Sequence, residues 1–102
     1  MELAGANVVI TGAASGIGRA LAARVADQRP RALILADRDA AGLEQVGAEL
    51  GALPVTTDVS REQEIVALVG RAREAGGPID LFCSNAGIPG PGGGPECSDE
   101  EW

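Results

Sequence analysis

The sequence predicts an α/β fold built on a doubly wound parallel sheet, and three observations carry that expectation. Short apolar runs alternate with longer segments of helical period, the pattern of successive strand–helix–strand units. The apolar residues are mainly Ala, Val, Leu and Ile, with Phe82 and Trp102 the only aromatics, which suits strands buried on both faces. A glycine-rich stretch, Gly12 to Gly18, stands where the first apolar run meets the first helical segment.

Four strands are expected, at Val8–Thr11, Ala32–Ala36, Pro54–Thr57 and Ile79–Ser84. The first helix should run from about Gly16 to about Gln28, because Ile17, Leu21 and Val25 recur at intervals of four and form one stripe. In the second, Leu43, Val46 and Leu50 repeat at i, i+3, i+7, with Asp39 as N-cap and Gly51 as stop. The third should begin at Ser60, where Gln63 completes a capping-box spacing, turn Ile65, Leu68 and Val69 inward, and end at Gly76-Gly77-Pro78. Right-handed crossovers then carry the chain one way and return it beside the first strand, giving strand order 3-2-1-4 with three crossover helices. The third helix should cover the face opposite the first two.

Beyond Ser84 the composition changes. Asn85 to Pro95 holds five glycines and three prolines, which reads as a long surface loop of the kind that carries function. Ser98-Asp99-Glu100-Glu101 repeats the capping-box pattern and announces a fourth helix. The expectation is one partial domain over residues 1–102, truncated at the start of that helix, with an apolar face and the outer edge of the fourth strand left open. Such an edge favours self-association, or pairing with another chain.

Charge and composition narrow the function. A net charge of −7 with scattered arginines argues against nucleic acid as a partner. No apolar run approaches the ~20 residues that span a bilayer, and the start of the chain has no basic leader, so no membrane association and a cytoplasmic setting are expected. Cys83 and Cys97 lack metal-ligand spacing and the chain has no histidine, so no metal site is expected and both cysteines read as reduced thiols.

Thr11-Gly12-Ala13-Ala14-Ser15-Gly16-Ile17-Gly18 carries the chemistry. At a strand-to-helix junction, glycines let the backbone approach a pyrophosphate, and the helix N-terminus offers unpaired N–H groups and about half a positive charge. Gly12 suits the tight turn, Gly16 the close approach and Gly18 the contact between helix and strand, while Ala13 and Ala14 are small enough not to block phosphates. The alternative is a glycine-rich turn with no ligand. Asp37, 19 residues after Gly18, stands where a Rossmann-type fold puts the carboxylate that accepts from the adenosine ribose hydroxyls, or it is simply a turn residue before Asp39. The first reading points to NAD. A 2′-phosphate would meet that carboxylate at a cost of about 4 kcal/mol at ~4 Å and an effective dielectric of ~20, which disfavours NADP, although Arg38 offers a partial counter-charge.

With Asp58-Val59 and Asn85-Ala86-Gly87 added in the same order, the sequence resembles the short-chain dehydrogenase/reductase family along its whole length. The three-residue spacer between Gly12 and Gly16 is similar to that of the family's short-subunit branch. The resemblance implies that Gly12, Ala14, Ser15, Gly16, Ile17, Gly18, Asp37 and Arg38 form the cofactor site together with five further residues. Asp58 would meet the adenine amino group, with the Val59 backbone beside it. Asn85, Ala86 and Gly87 would line the cofactor and tie the fourth strand to the first. Ser84 stands where many members have a second Asn. Alternatively, Asp58 is a polar strand end and Asn85-Ala86-Gly87 a plain turn.

The family's reaction is a hydride transfer between NAD(P) and an alcohol or carbonyl, served by a Tyr and a Lys four residues on. This chain contains neither, and its eight basic residues are all arginine. No catalytic residue is therefore assigned. The expected function is the NAD(P)-binding part of an oxidoreductase; the other reading is a non-catalytic dinucleotide-binding or interaction module that pairs with a full-length relative.

Overall fold

The computed structural model describes residues 3–85 and the backbone of residues 96–99. Strands β1 (Asn7–Thr11), β2 (Ala32–Asp37), β3 (Leu53–Thr56) and β4 (Leu81–Ser84) alternate with helices α1 (Gly16–Ala26), α2 (Ala40–Leu50) and α3 (Glu62–Gly76). These four strands are parallel, in the order β3-β2-β1-β4. This is the expected doubly wound arrangement, with the chain reversing direction between β1 and β4.

All five residues of β1 are buried, because it is central and covered on both faces. Alternate residues of the strands therefore feed two cores. Val8, Ile10, Leu33 and Leu35 pack with Ala22, Val25, Leu43 and Val46 from α1 and α2. Val9, Ile34 and Ala36 pack with Leu68 and Ala72 of α3 and with Ile79. Each large aliphatic side chain buried this way contributes about 1.5–3 kcal/mol relative to exposure. Only one helix among the described elements covers the second face, so Phe82, Val69 and Val55 at its margin are half-buried.

Helix ends follow local chemistry. The Asp39 carboxylate accepts from the Gly42 N–H at 3.1 Å, and Gly51 closes α2 in the left-handed conformation at φ 67°. The third helix departs from expectation. Its N-cap is Arg61 rather than Ser60, because both the N–H and the hydroxyl of Ser60 turn back to donate to Asp58 Oδ1. The first turn is instead tied by Glu64, whose Oε1 accepts from the Asp58 N–H at 2.8 Å.

The expected fourth helix at Ser98 is also corrected. Residues Glu96–Asp99 form β5, antiparallel to β4, so the outer edge of β4 is paired rather than open. The edge of β4 supplies ready-made backbone partners, whereas a capping box must first overcome the cost of nucleating a turn. β5 sets Cys97 opposite Cys83. Cys83 is disulfide-bonded, which overturns the reading of this residue as a reduced thiol.

At the end of the sheet opposite the glycine turn, Asn7 and Arg31 fasten several segments together. The Asn7 side chain donates to the carbonyls of Ala72 (3.0 Å) and Gly77 (2.9 Å), and its N–H donates to Asp80 Oδ2 at 2.8 Å. Arg31 donates to the carbonyls of Gly5, Gly76 and Pro78 and to Asp80.

Candidate cofactor site

A cleft of about 560 Å³ opens at the C-terminal ends of the strands, within the size range of small-molecule sites. It is lined by Gly12, Ser15, Asp37, Arg38, Thr57, Val59, Ser60 and Asn85. It lies at the β1–β4 reversal point, where parallel α/β sheets bind their ligands.

The glycine turn forms one wall. Gly12 and Gly16 have φ of 67° and 61°, a left-handed backbone that non-glycine residues rarely adopt. Gly18 is buried at the start of α1, and a Cβ there would stand 2.0 Å from the Gly12 carbonyl oxygen and 2.7 Å from Asn85 Nδ2. The glycine is what allows α1 to seat against the turn. Ser15 is the N-cap, but its side chain makes no capping bond and no acidic residue occupies the first turn of α1. Ser15, Gly16 and Ile17 are exposed, with Ile17 at 54%. The start of this helix thus keeps its partial positive charge facing the cleft without a carboxylate of its own.

Asp37 ends β2 across from the turn. Its Oδ2 accepts from the Ala14 N–H and its Oδ1 from the Asp39 N–H, both at 3.0 Å. These bonds fix the carboxylate plane and couple it to the glycine turn. Ala14 acts here through its backbone, its side chain being buried in the core.

Beyond β3, the Asp58 carboxyl sits below its ordinary value of 3.8, chiefly because the Ser60 hydroxyl donates to it, with help from the Ser60 N–H and the positive charges of Arg38 and Arg61. Asp58 itself is not among the lining residues; its neighbours Thr57, Val59 and Ser60 are. At the end of β4, the Asn85 N–H donates to Thr11 Oγ1 at 3.0 Å, and the same hydroxyl donates to the Cys83 carbonyl at 3.5 Å. One threonine therefore joins β1 to the end of β4. Ala86 and Gly87 lie outside the described residues.

The structure thus brings Gly12, Ser15, Asp37, Arg38, Val59 and Asn85 together around one cleft, with Gly16, Ile17 and Gly18 at the helix start beside it. Sequence reasoning missed Thr57, Ser60 and the linking role of Thr11. Ser60 had a legible signal, since an Asp followed two residues later by a donor is the spacing of an Asx turn.

Residues 6–102 match the family model for short chain dehydrogenases, and the chain belongs to that family. Among curated relatives, it is 40% identical over 100 residues to 1-deoxy-11-beta-hydroxypentalenate dehydrogenase of Streptomyces exfoliatus, covering 93% of this chain and 36% of that protein. It is 32% identical over 109 residues to glucose 1-dehydrogenase 2 of Bacillus subtilis, covering 99% of this chain and 42% of the relative. Among solved structures, a short chain dehydrogenase/reductase from Burkholderia phymatum in complex with NAD superposes with a TM-score of 0.76 at 40% identity, over 80% of this chain and 31% of that one. A 3-ketoacyl-(acyl-carrier-protein) reductase from Brucella melitensis complexed with NADH gives 0.75 at 39% identity, over 78% and 34%. The chain spans well under half the length of these relatives.

Proposed function

We propose that this chain is the NAD-binding part of a dehydrogenase that moves a hydride between NAD and an alcohol or carbonyl carbon. The observation that carries the reading is the single cleft uniting the exposed start of α1 with the fixed carboxylate of Asp37. The residues fit the cofactor's chemistry. A pyrophosphate suits the uncapped N-terminus of α1, beside two left-handed glycines that hold side chains out of the way. Asp37 spends one acceptor position of each oxygen on a backbone N–H, and a carboxylate has about four, so capacity remains for two ribose hydroxyls. Asp58 and Val59 would hold the adenine, with Arg38 along its edge; Asn85, Ala86 and Gly87 would border the cofactor on the β4 side.

When bound, NAD supplies the hydride acceptor. The part of this chain is to bind and orient it, because the Tyr and Lys that serve the family's proton transfer are not in this sequence. Residues 1–102 would then work as one cofactor-binding unit of a larger catalytic whole. A cytoplasmic setting goes with this reading; among the described residues no helix is long and apolar enough to cross a membrane. Pairing with a second chain, if it uses a strand edge, falls to β3 or β5, since β4 is covered on both sides.

Isothermal titration of folded chain with NAD and NADP, alongside Asp37→Ala, tests the proposal. Saturable NAD binding, tighter than NADP and weakened about tenfold or more by the substitution, is expected from the loss of charge-assisted hydrogen bonds. Folded protein that binds neither dinucleotide would overturn it.

A further inference from the structure

The subsites of the cleft follow the order of the strands. The glycine turn stands at the end of β1 and Asp37 at the end of β2, where the Thr57 N–H donates to the Asp37 carbonyl at 2.9 Å. The next position outward, after β3, therefore faces the base of a dinucleotide whose pyrophosphate and ribose occupy the first two. Thr57, Val59 and Ser60 line the cleft there, and Asp58 does not.

Both donors of Ser60 are committed to Asp58. Its hydroxyl donates to Asp58 Oδ1 at 2.6 Å, a short contact of the kind made to a charged acceptor, and its N–H donates to the same oxygen at 3.0 Å. The hydroxyl bond, and then the N–H bond, hold the Asp58 carboxyl below its ordinary value, so at neutral pH it is ionised and can only accept. The hydroxyl oxygen of Ser60 is left with lone pairs and no proton to offer. Asp58 is itself fixed from behind, its N–H donating to Glu64 Oε1 at 2.8 Å and its carbonyl accepting from the Arg61 N–H at 3.0 Å.

We propose that the Ser60 hydroxyl oxygen, oriented by Asp58, accepts from the 6-amino group of adenine and selects a 6-aminopurine dinucleotide over a 6-oxopurine one. Resting on the NAD reading above, this assignment makes Asp58 a positioning residue that acts on the base through Ser60. An aminopurine presents N–H donors at that edge, whereas an oxopurine presents a carbonyl oxygen. Against a hydroxyl whose proton is already held by a carboxylate, the oxopurine sets acceptor against acceptor. An uncommitted hydroxyl would turn to suit either base, so the selectivity comes from the charge of Asp58 and not from serine alone.

The test is isothermal titration with NAD and with nicotinamide hypoxanthine dinucleotide, which carries a 6-oxopurine in place of adenine. It is run on the parent chain, Ser60→Ala, Ser60→Thr, Asp58→Ala and the double alanine variant, each shown to be folded by circular dichroism. The parent should prefer NAD by about tenfold, the effect of one mismatched hydrogen bond. Ser60→Ala removes the acceptor and Asp58→Ala frees its proton, so each should bring the preference to about twofold or less, while Ser60→Thr keeps it. The double variant should fall no further than either single one, because the two residues act in series. No preference in the parent, or an unchanged preference in Ser60→Ala, would overturn the assignment; a loss confined to Asp58→Ala would mean that the carboxylate meets the amino group itself. A loss in Ser60→Ala with none in Asp58→Ala would overturn the role of the carboxylate. If the parent binds neither dinucleotide, the cofactor reading fails on its own, and the NMR shift of the Ser60 amide under adenosine and inosine monophosphates decides the purine preference. A shift with the adenosine compound alone supports it, and equal shifts or none overturn it.

Discussion

Replacing Gly18 by Ala places a methyl group 2.0 Å from the Gly12 carbonyl oxygen, a backbone atom that cannot swing aside. The turn and α1 must separate by about 1 Å or more, a displacement of the kind that costs ~1–3 kcal/mol when a packed site is overfilled. Helix propensity works the other way, since Ala is favoured over Gly by about 1 kcal/mol in a helix interior. The net expectation is a loss of up to about 2 kcal/mol. With a urea dependence near 1 kcal/mol per molar, expected for a small domain, the midpoint falls by up to roughly 2 M. Gly70→Ala provides the control of opposite sign. It lies in α3 with nothing within 4 Å of the new Cβ, so only propensity acts, and the midpoint should rise by up to ~1 M. Both variants are measured by urea denaturation followed by circular dichroism, and NAD titration of the folded proteins should show weakened binding for Gly18→Ala alone. A Gly18→Ala midpoint at or above that of the parent would refute the steric argument, because propensity would then have outweighed contact with the turn.

Further substitutions probe the rest of the framework. Ser60→Ala removes the main cause of the low Asp58 pKa, so that value should move up toward 3.8 in a carboxylate NMR titration; an unmoved value would show that the arginine charges dominate. The sign for stability follows from the depressed pKa. The Asp58 contribution is full above about pH 4, its ordinary range, and is lost as pH falls through the lower folded value, so acid unfolding of Ser60→Ala should be less steep in that window. Asn7→Ala strips the carbonyls of Ala72 and Gly77 of a buried donor, at a cost of about 2 kcal/mol seen as a lower thermal midpoint; an unchanged midpoint would mean that these carbonyls find other partners.

The strand order and three helices were legible because the apolar runs and helical stripes, together with the Gly12–Gly18 turn, all point to one topology. The Asp39 cap and Gly51 stop were legible for the same reason: each depends on its own residue and the adjacent backbone. What failed were choices between local options that only three-dimensional neighbours decide. Ser60 has the spacing of an N-cap, yet Asp58 lies closer and is charged, so the hydroxyl goes there. Ser98 has the same spacing, yet the unpaired edge of β4 takes that segment as a strand. That Cys83 is disulfide-bonded was hidden for a similar reason, since a contact between sulfurs is not visible in linear spacing. Within the site, backbone contributions such as the Ala14 N–H leave no trace in residue type. Thr11 was legible as part of the turn motif but not as the link between β1 and Asn85.

The fastening of the sheet by Arg31 and Asn7 works as a mechanical clasp at the pole where the strands begin. One guanidinium gathers the carbonyls of Gly5, Gly76 and Pro78 and the Asp80 carboxylate, while one carboxamide spans from β1 to the end of α3. Local opening at the pole where the strands begin is therefore resisted, as it is at the rim by the bonds of Asp37 and Thr11. The strands behave like staves hooped at base and rim. Arg31→Ala, remote from the cleft, would loosen the base hoop while leaving every residue that lines the cleft in place.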